Sequence, residues 1–279
     1  MLVAVCSLKG SPGVTTLATA LAARWPAQEN PILVEADPAG GDIMARFRLP
    51  ESPGLVTLAA AARGRTSNDP TLLAQHAQTL PPGLRVVLGP VGAEQSRAAL
   101  SVLASGGASV LRRAASQPGT TVIVDCGRVD PDSPAFPIIR DADAMLLLAR
   151  PHDDELAHVA LKLPAAQRWS RQPCLVLVGD GYPTVEVSQV LQIPVMGRVP
   201  RDDKGAAVLC GHGNGRHGPA RSALGRAAAK LAMTAFAHWY TATNGAAPAP
   251  HLQLAVSGGP MPATALQVVG MQTRNGVRP

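Results

Sequence analysis

Residues 2–16 read Leu2-Val3-Ala4-Val5-Cys6-Ser7-Leu8-Lys9-Gly10-Ser11-Pro12-Gly13-Val14-Thr15-Thr16, and Leu17-Ala18-Thr19-Ala20-Leu21-Ala22 follows at once. The apolar run predicts a buried strand, the alanine-rich run a helix, and a glycine-bearing turn joins them. Small residues let such a turn curl until several backbone N–H groups point inward. The following helix adds the positive end of its dipole, and together they make an anion cradle. A hydroxyl in the first helical turn, here Thr15, is placed to hold a magnesium ion that accompanies a phosphate.

Outward from this turn, short β-branched runs alternate with longer alanine-rich segments, the pattern of βαβ units around a mostly parallel buried sheet. Strands are predicted near 2–6, 32–36, 85–88, 121–125, 144–149, 174–178 and 195–198, and helices near 14–24, 54–62, 70–79, 93–115, 153–169, 184–191 and 219–240. Pro50, Pro53, Pro81, Pro82, Pro118, Pro131, Pro134 and Pro137 fall between these segments, where a missing N–H does least harm. The expected fold is therefore α/β, three layers, with a roughly seven-stranded sheet flanked by helices. A single domain over 1–240 accounts for these elements. Residues 241–279 carry few charges, repeated Gly and Pro and no period, and are expected to be a flexible tail.

The chain has 279 residues, 46% of them hydrophobic, which suffices for one sizeable core. The net charge of +6 comes from arginines spread singly along the sequence, so direct nucleic-acid binding is not expected. Cys6, Cys126, Cys174 and Cys210 lie far apart with no C-x-x-C pair, which predicts reduced thiols in place of a disulfide, zinc or iron–sulfur site. The N-terminus lacks a basic n-region, and no run of about 18 apolar residues occurs, so a cytoplasmic protein without a spanning helix is expected.

Lys9-Gly10-Ser11-Pro12-Gly13-Val14-Thr15-Thr16 resembles the deviant Walker A pattern K-G-G-x-G-K-[ST]-[ST] of the MinD/ParA family of P-loop ATPases. Two positions depart from it: Ser11 replaces a glycine, and Val14 replaces the lysine that contacts the β- and γ-phosphates in the family. Lys9, one of four lysines in the chain, keeps the signature lysine. In the family that residue reaches across a dimer interface to the partner's nucleotide, which implies a homodimer here. The resemblance implies that Lys9, Gly10, Ser11, Gly13, Val14, Thr15 and Thr16 surround ATP or ADP and that Thr15 holds Mg²⁺. A charge-assisted phosphate contact contributes roughly 1.5–3 kcal/mol, so loss of the lysine implies about 10- to 150-fold weaker triphosphate binding. Pro12 removes a further N–H from the turn.

Later segments extend the resemblance over residues 1–240. Ile32-Leu33-Val34-Glu35-Ala36-Asp37-Pro38 is similar to the family's switch I, in which Asp37 corresponds to the aspartate that orients the attacking water and Glu35 stands at the preceding aspartate position. Thr121-Val122-Ile123-Val124-Asp125-Cys126-Gly127 is similar to Walker B and switch II, so Asp125 is expected at Mg²⁺ and Gly127 at the γ-phosphate. Pro200, in Val199-Pro200-Arg201-Asp202-Asp203, matches the loop near the base. Gly179 and Asp180 stand where the family often has an asparagine that reads adenine. Replacement of the Walker lysine by a small apolar residue resembles the TadZ/CpaE branch, which helps place Tad-type pilus and secretion machinery at the cell pole.

Two other constellations carry less. Gly211 to Gly218, with His212 and His217, reads as a loop in place of a metal site, and the helix ending Phe236-Ala237-His238-Trp239-Tyr240 reads as core packing. Peripheral membrane contact through that helix, as in MinD, is the alternative, although Arg221, Arg226 and Lys230 are sparse for an anchor. The sequence thus leaves two functions open: an ATP-binding localisation or partitioning switch with slow turnover, and a pseudo-ATPase scaffold that recruits a protein partner without nucleotide.

Overall fold

In strand β1 (Leu2–Ser7) successive side chains turn to opposite faces, and both faces are apolar. Leu2, Ala4 and Cys6 join one core cluster while Val3 and Val5 join a second, so the strand lies at the centre of a sheet covered on both sides. The computed structural model, which describes residues 1–64, 69–81, 83–104, 108–170, 172–212 and 219–244, shows this arrangement throughout. Its other strands are β2 (Asn30–Glu35), β3 (Gln78–Leu80), β4 (Leu84–Val87), β5 (Thr120–Arg128), β6 (Ala144–Ala149), β7 (Pro173–Val178) and β8 (Val195–Val199). They form one eight-stranded sheet in the order β3-β4-β2-β5-β1-β6-β7-β8. All neighbours are parallel except β3 and β4.

The helices are α1 (Val14–Ala23), α2 (Ile43–Phe47), α3 (Leu55–Ala62), α4 (Leu72–Gln75), α5 (Ala93–Val102), α6 (Ala108–Ala115), α7 (Phe136–Asp141), α8 (Asp153–Ala166), α9 (Thr184–Leu191), α10 (Asp203–Leu209) and α11 (Ala223–Asn244). Leu58, Leu100, Leu111, Ile138 and Val159 bring α3 and α5 to α8 onto one face of the sheet. Leu17, Leu21, Leu209, Leu224 and Leu231 bring α1, α10 and α11 onto the other. The three-layer α/β expectation holds, and all seven predicted strands are present.

Three predicted segments differ from the structure, and the short helices α2, α7 and α10 were not predicted. The segment read as a helix over 70–79 is one short helix, α4, and then β3, because Gln78 to Leu80 pairs antiparallel with the edge strand β4. Over the segment 93–115, read as one helix, the structure has α5 and α6, and residues 105–107 lie outside the described residues. The last helix is a 3₁₀ turn, Pro219–Arg221, followed by α11, which packs Leu224, Ala228, Leu231 and Ala235 into the core. Helix α11 continues to Asn244, past the boundary expected at 240. The tail beyond it and most of the Gly-His loop, residues 213–218, lie outside the described residues. No helix among the described residues is long and apolar enough to cross a membrane.

Candidate functional site: a glycine-lined anion cradle

The cradle sits where β1, β2 and β5 end together. Register places Val5 beside Asp125 and Glu35 beside the same Asp125, so two carboxylates stand side by side on neighbouring strands. A register shift between Val5 and Ser7 then brings Ser7 beside Arg128. The loop that leaves β1 turns through two left-handed glycines, Gly10 at φ 67° and Gly13 at φ 94°. Gly13 is the N-cap of α1 and has no side chain to satisfy the first N–H groups, which stay available to an anion.

Glu155 supports this loop from beneath. It is buried in the first turn of α8, and a Cβ on Gly10 would lie 2.8 Å from its Oε1. Its Oε2 accepts the Arg150 N–H at 2.8 Å, and Oε1 lies 3.3 Å from the Arg150 guanidinium. Arg150 in turn donates to the Ser11 carbonyl at 3.1 Å. Helix α8 thereby fixes the turn at two points.

The carboxylates differ in how they are satisfied. Glu35 is buried and accepts three backbone N–H groups: Asp42 at 2.6 Å and Ile43 at 3.0 Å on Oε1, and Gly89 at 3.0 Å on Oε2. Burial still raises its pKa above the usual carboxylate range, the three bonds opposing it. Asp125 is fully buried, and its Oδ1 accepts only the Gly127 N–H, at 3.0 Å. Burial pushes it up to about 7, with the Glu35 and Asp37 charges adding to the rise. The Thr15 hydroxyl lies near enough to oppose that rise, yet no donor meets Oδ2 at hydrogen-bond geometry, and we take that oxygen as unsatisfied. A buried, unpartnered carboxylate oxygen facing a threonine hydroxyl fits the hydrated shell of a divalent cation.

Asp37 hangs over the same space. Its Oδ1 accepts the Ala39 N–H at 2.8 Å, and its carbonyl accepts the Ser96 hydroxyl of α5 at 2.6 Å. Partial burial raises its pKa, Asp42 adds to the rise, and Arg128 and Arg97 oppose it. Gly127 has φ 59°, and a Cβ there would lie 2.1 Å from the Asp37 carboxyl carbon, so only glycine lets the two segments approach.

Two adjoining cavities result. One, of about 340 Å³, is lined by Gly10, Ser11, Gly13, Val14, Thr15, Thr16, Asp37 and Gly127. The other, of about 480 Å³, shares Ser11, Gly13 and Thr16 and continues past Gly179 and Asp180 to Pro200 and α10. Asp125 lies buried behind the first cavity, while Lys9 is exposed and lines neither. Val14 is buried, joins the core cluster with Leu17 and Ile43, and brings no charge to the cavity. Arg198 of β8 donates to the Gly179 carbonyl at 2.7 Å and to that of Tyr182, which braces the turn that Gly179 and Asp180 bring to the second cavity.

Sequence reasoning did not find Glu155, Arg46, Arg97 or Arg128 at the site. Arg46 bonds Asp42 at 2.6 Å, and Arg97 and Arg128 line the first cavity beside Asp37. These residues come from α8, α2, α5 and the end of β5, and nothing local to each marks it. Among the described residues no group of three or more His, Cys, Asp or Glu side chains gathers as a metal cluster.

No family model matches the chain, and no curated protein is similar to it. Solved structures are similar in fold. A ParA family ATPase from Chlorobium tepidum TLS superposes with a TM-score of 0.64 at 18% identity, covering 83% of this chain and 97% of that one. The cell division ATPase MinD of Pyrococcus furiosus gives 0.63 at 17% identity, covering 85% and 98%. The septum site-determining protein MinD of Pyrococcus horikoshii OT3, described as complexed with Mg-ADP, gives 0.62 at 15%, covering 83% and 93%. The chain therefore has the P-loop α/β fold of the MinD and ParA ATPases.

Proposed function

We propose that the chain is a nucleotide-responsive positioning switch of the MinD/ParA kind, binding ATP or ADP with Mg²⁺ weakly and turning over slowly. The observation that carries this reading is the unsatisfied Asp125 oxygen behind a glycine turn with open helix N–H groups. A scaffold with no ligand has no use for a buried carboxylate left half bonded. The Mg-ADP named for the Pyrococcus horikoshii MinD supports the same ligand class.

In this reading the turn from Gly10 to Thr16 holds the phosphates, Thr15 and Asp125 hold the ion, and Gly127 lets the backbone approach the terminal phosphate. When bound, a nucleoside triphosphate with Mg²⁺ supplies a transferable phosphoryl group. Asp37 orients water, Lys9 projects to a second copy of the chain, and Pro200 flanks the base. The exposure of Lys9 suits action across a homodimer. The finer assignment is to the TadZ/CpaE-like branch, with a Tad-type pilus or secretion machinery as the object placed and a protein of that machinery as partner.

One observation favours a second reading. Val14 is part of the core, so the site has no lysine for the phosphates, as a pseudo-ATPase scaffold would allow. Calorimetric titration of the full chain with ATP and ADP in the presence of Mg²⁺ separates the two. Saturable binding, with Lys9→Ala abolishing only nucleotide-driven dimerisation, supports the switch. Absence of binding at millimolar nucleotide, with binding restored by Val14→Lys, supports the scaffold.

A further inference from the structure

We propose that Arg97 and Arg128 supply in cis the positive charge that Val14 withholds, and that they are phosphate-binding residues of this site. The inference rests on the nucleotide reading above and assigns a part of the site to residues outside the signature turn.

The two arginines converge from different elements. Arg128 ends β5 and is the register partner of Ser7, where the turn begins, and its position is held because the Val129 N–H donates to the Ser7 carbonyl at 2.9 Å. Arg97 follows Ser96 on α5, and the Ser96 hydroxyl ties that helix to the Asp37 carbonyl at 2.6 Å. Both line the cavity that also holds Gly13, Val14, Thr15 and Gly127. Both are exposed at its rim, and among the described residues neither makes an ion pair.

The third arginine of the cavity is committed elsewhere. Arg46 bonds Asp42 at 2.6 Å and reaches Cys210 Sγ at 3.4 Å. Asp37, Asp42 and Asp130 also line this cavity, so an anion entering it meets carboxylates unless cations offset them. Arg46 offsets Asp42. Arg97 and Arg128 face Asp37 closely enough to oppose its protonation. With both guanidiniums free of other partners, each has a planar fork of donors to present to phosphate oxygens. A buried valine at the helix start and two exposed arginines lining the same cavity are the complementary halves of one arrangement: the charge has moved from the turn to the rim.

The test is nucleotide affinity measured by calorimetry with Mg-ATP and Mg-ADP on the full chain. Arg97→Ala and Arg128→Ala are each expected to weaken ATP binding about tenfold, and the double variant more. The loss is expected to be larger for ATP than for ADP, because these residues flank Asp37 and Gly127, away from the cavity that holds Pro200. Adding Val14→Lys to the double variant is expected to restore binding. The double lysine variant, which keeps both charges, reports on charge apart from folding, and thermal melting of each variant checks the fold. If wild type binds and the double alanine variant binds equally well, the arginine assignment is overturned while the nucleotide reading stands. If wild type binds neither nucleotide at millimolar concentration, the nucleotide reading fails and the assignment falls with it.

Discussion

Glu35 and Asp125 are neighbours in register on two parallel strands, both buried, both carboxylates following an apolar run. Glu35 is held by three backbone N–H groups, and the turn from β2 into α2 and the end of β4 close around it. Asp125 has one such bond and an oxygen with none. A carboxylate saturated by its own backbone is a latch. One left half bonded at the same depth marks a place built for something else, because leaving a buried acceptor unpaired costs about 1–3 kcal/mol.

The contrast is broken most strongly by removing the Asp125 charge. Its pKa rises from 3.8 to about 7 on folding, so between those values the folded chain holds a proton that the unfolded chain has released. Stability must therefore fall as pH rises through that window, by about 4 kcal/mol from this group, and level off above it. Glu35 and Asp37 are shifted in the same direction and add slopes of the same sign. Urea unfolding without nucleotide or Mg²⁺ should show that Asp125→Asn loses the steepest part of this dependence and keeps the remainder. An unchanged pH profile in the variant would mean that Asp125 is not the strained member of the pair.

A smaller effect is expected at the latch. Glu35→Gln turns one acceptor oxygen into an NH₂ that must face a backbone donor, and should cost about 1–3 kcal/mol at neutral pH. The loss should appear as a lower urea midpoint, with faster hydrogen exchange at Asp42, Ile43 and Gly89 N–H. Smaller still is Gly127→Ala, with about 1–2 kcal/mol of left-handed strain. Its main consequence is displacement of Asp37, whose carboxyl carbon lies 2.1 Å from the new methyl position. NMR titration of the Asp37 carboxyl should show its pKa moving down toward the ordinary range as the side chain is pushed into solvent.

Much of this was legible from residues alone. The apolar runs Leu2 to Cys6, Thr121 to Val124 and Ala144 to Leu148 are plain because each strand is buried on both faces. The glycine spacing of the turn is equally plain, since Gly10 and Gly13 are needed for their positive φ. The strand Gln78–Leu80 was not, because nothing in Ala77-Gln78-Thr79-Leu80 opposes a helix and only pairing with β4 decides it. Helix α2 was missed for a related reason: its first N–H groups are satisfied by Glu35, eight residues back from Ile43, in place of a local cap. Arg97 and Arg128 were invisible as a pair, since 31 positions separate them and both look like scattered surface charge until the sheet brings β5 beside α5's partner Asp37.

The short antiparallel strand at one margin of the sheet carries a last consequence. Three residues, turned against the direction of every other strand, offer an incoming chain almost no ladder to extend. At the opposite margin the Leu231 side chain of α11 lies over one face of β8, 2.9 Å from where a Cβ on Gly197 would stand. Growth of the molecule by adding strands from a second copy is thus blunted on the β3 side.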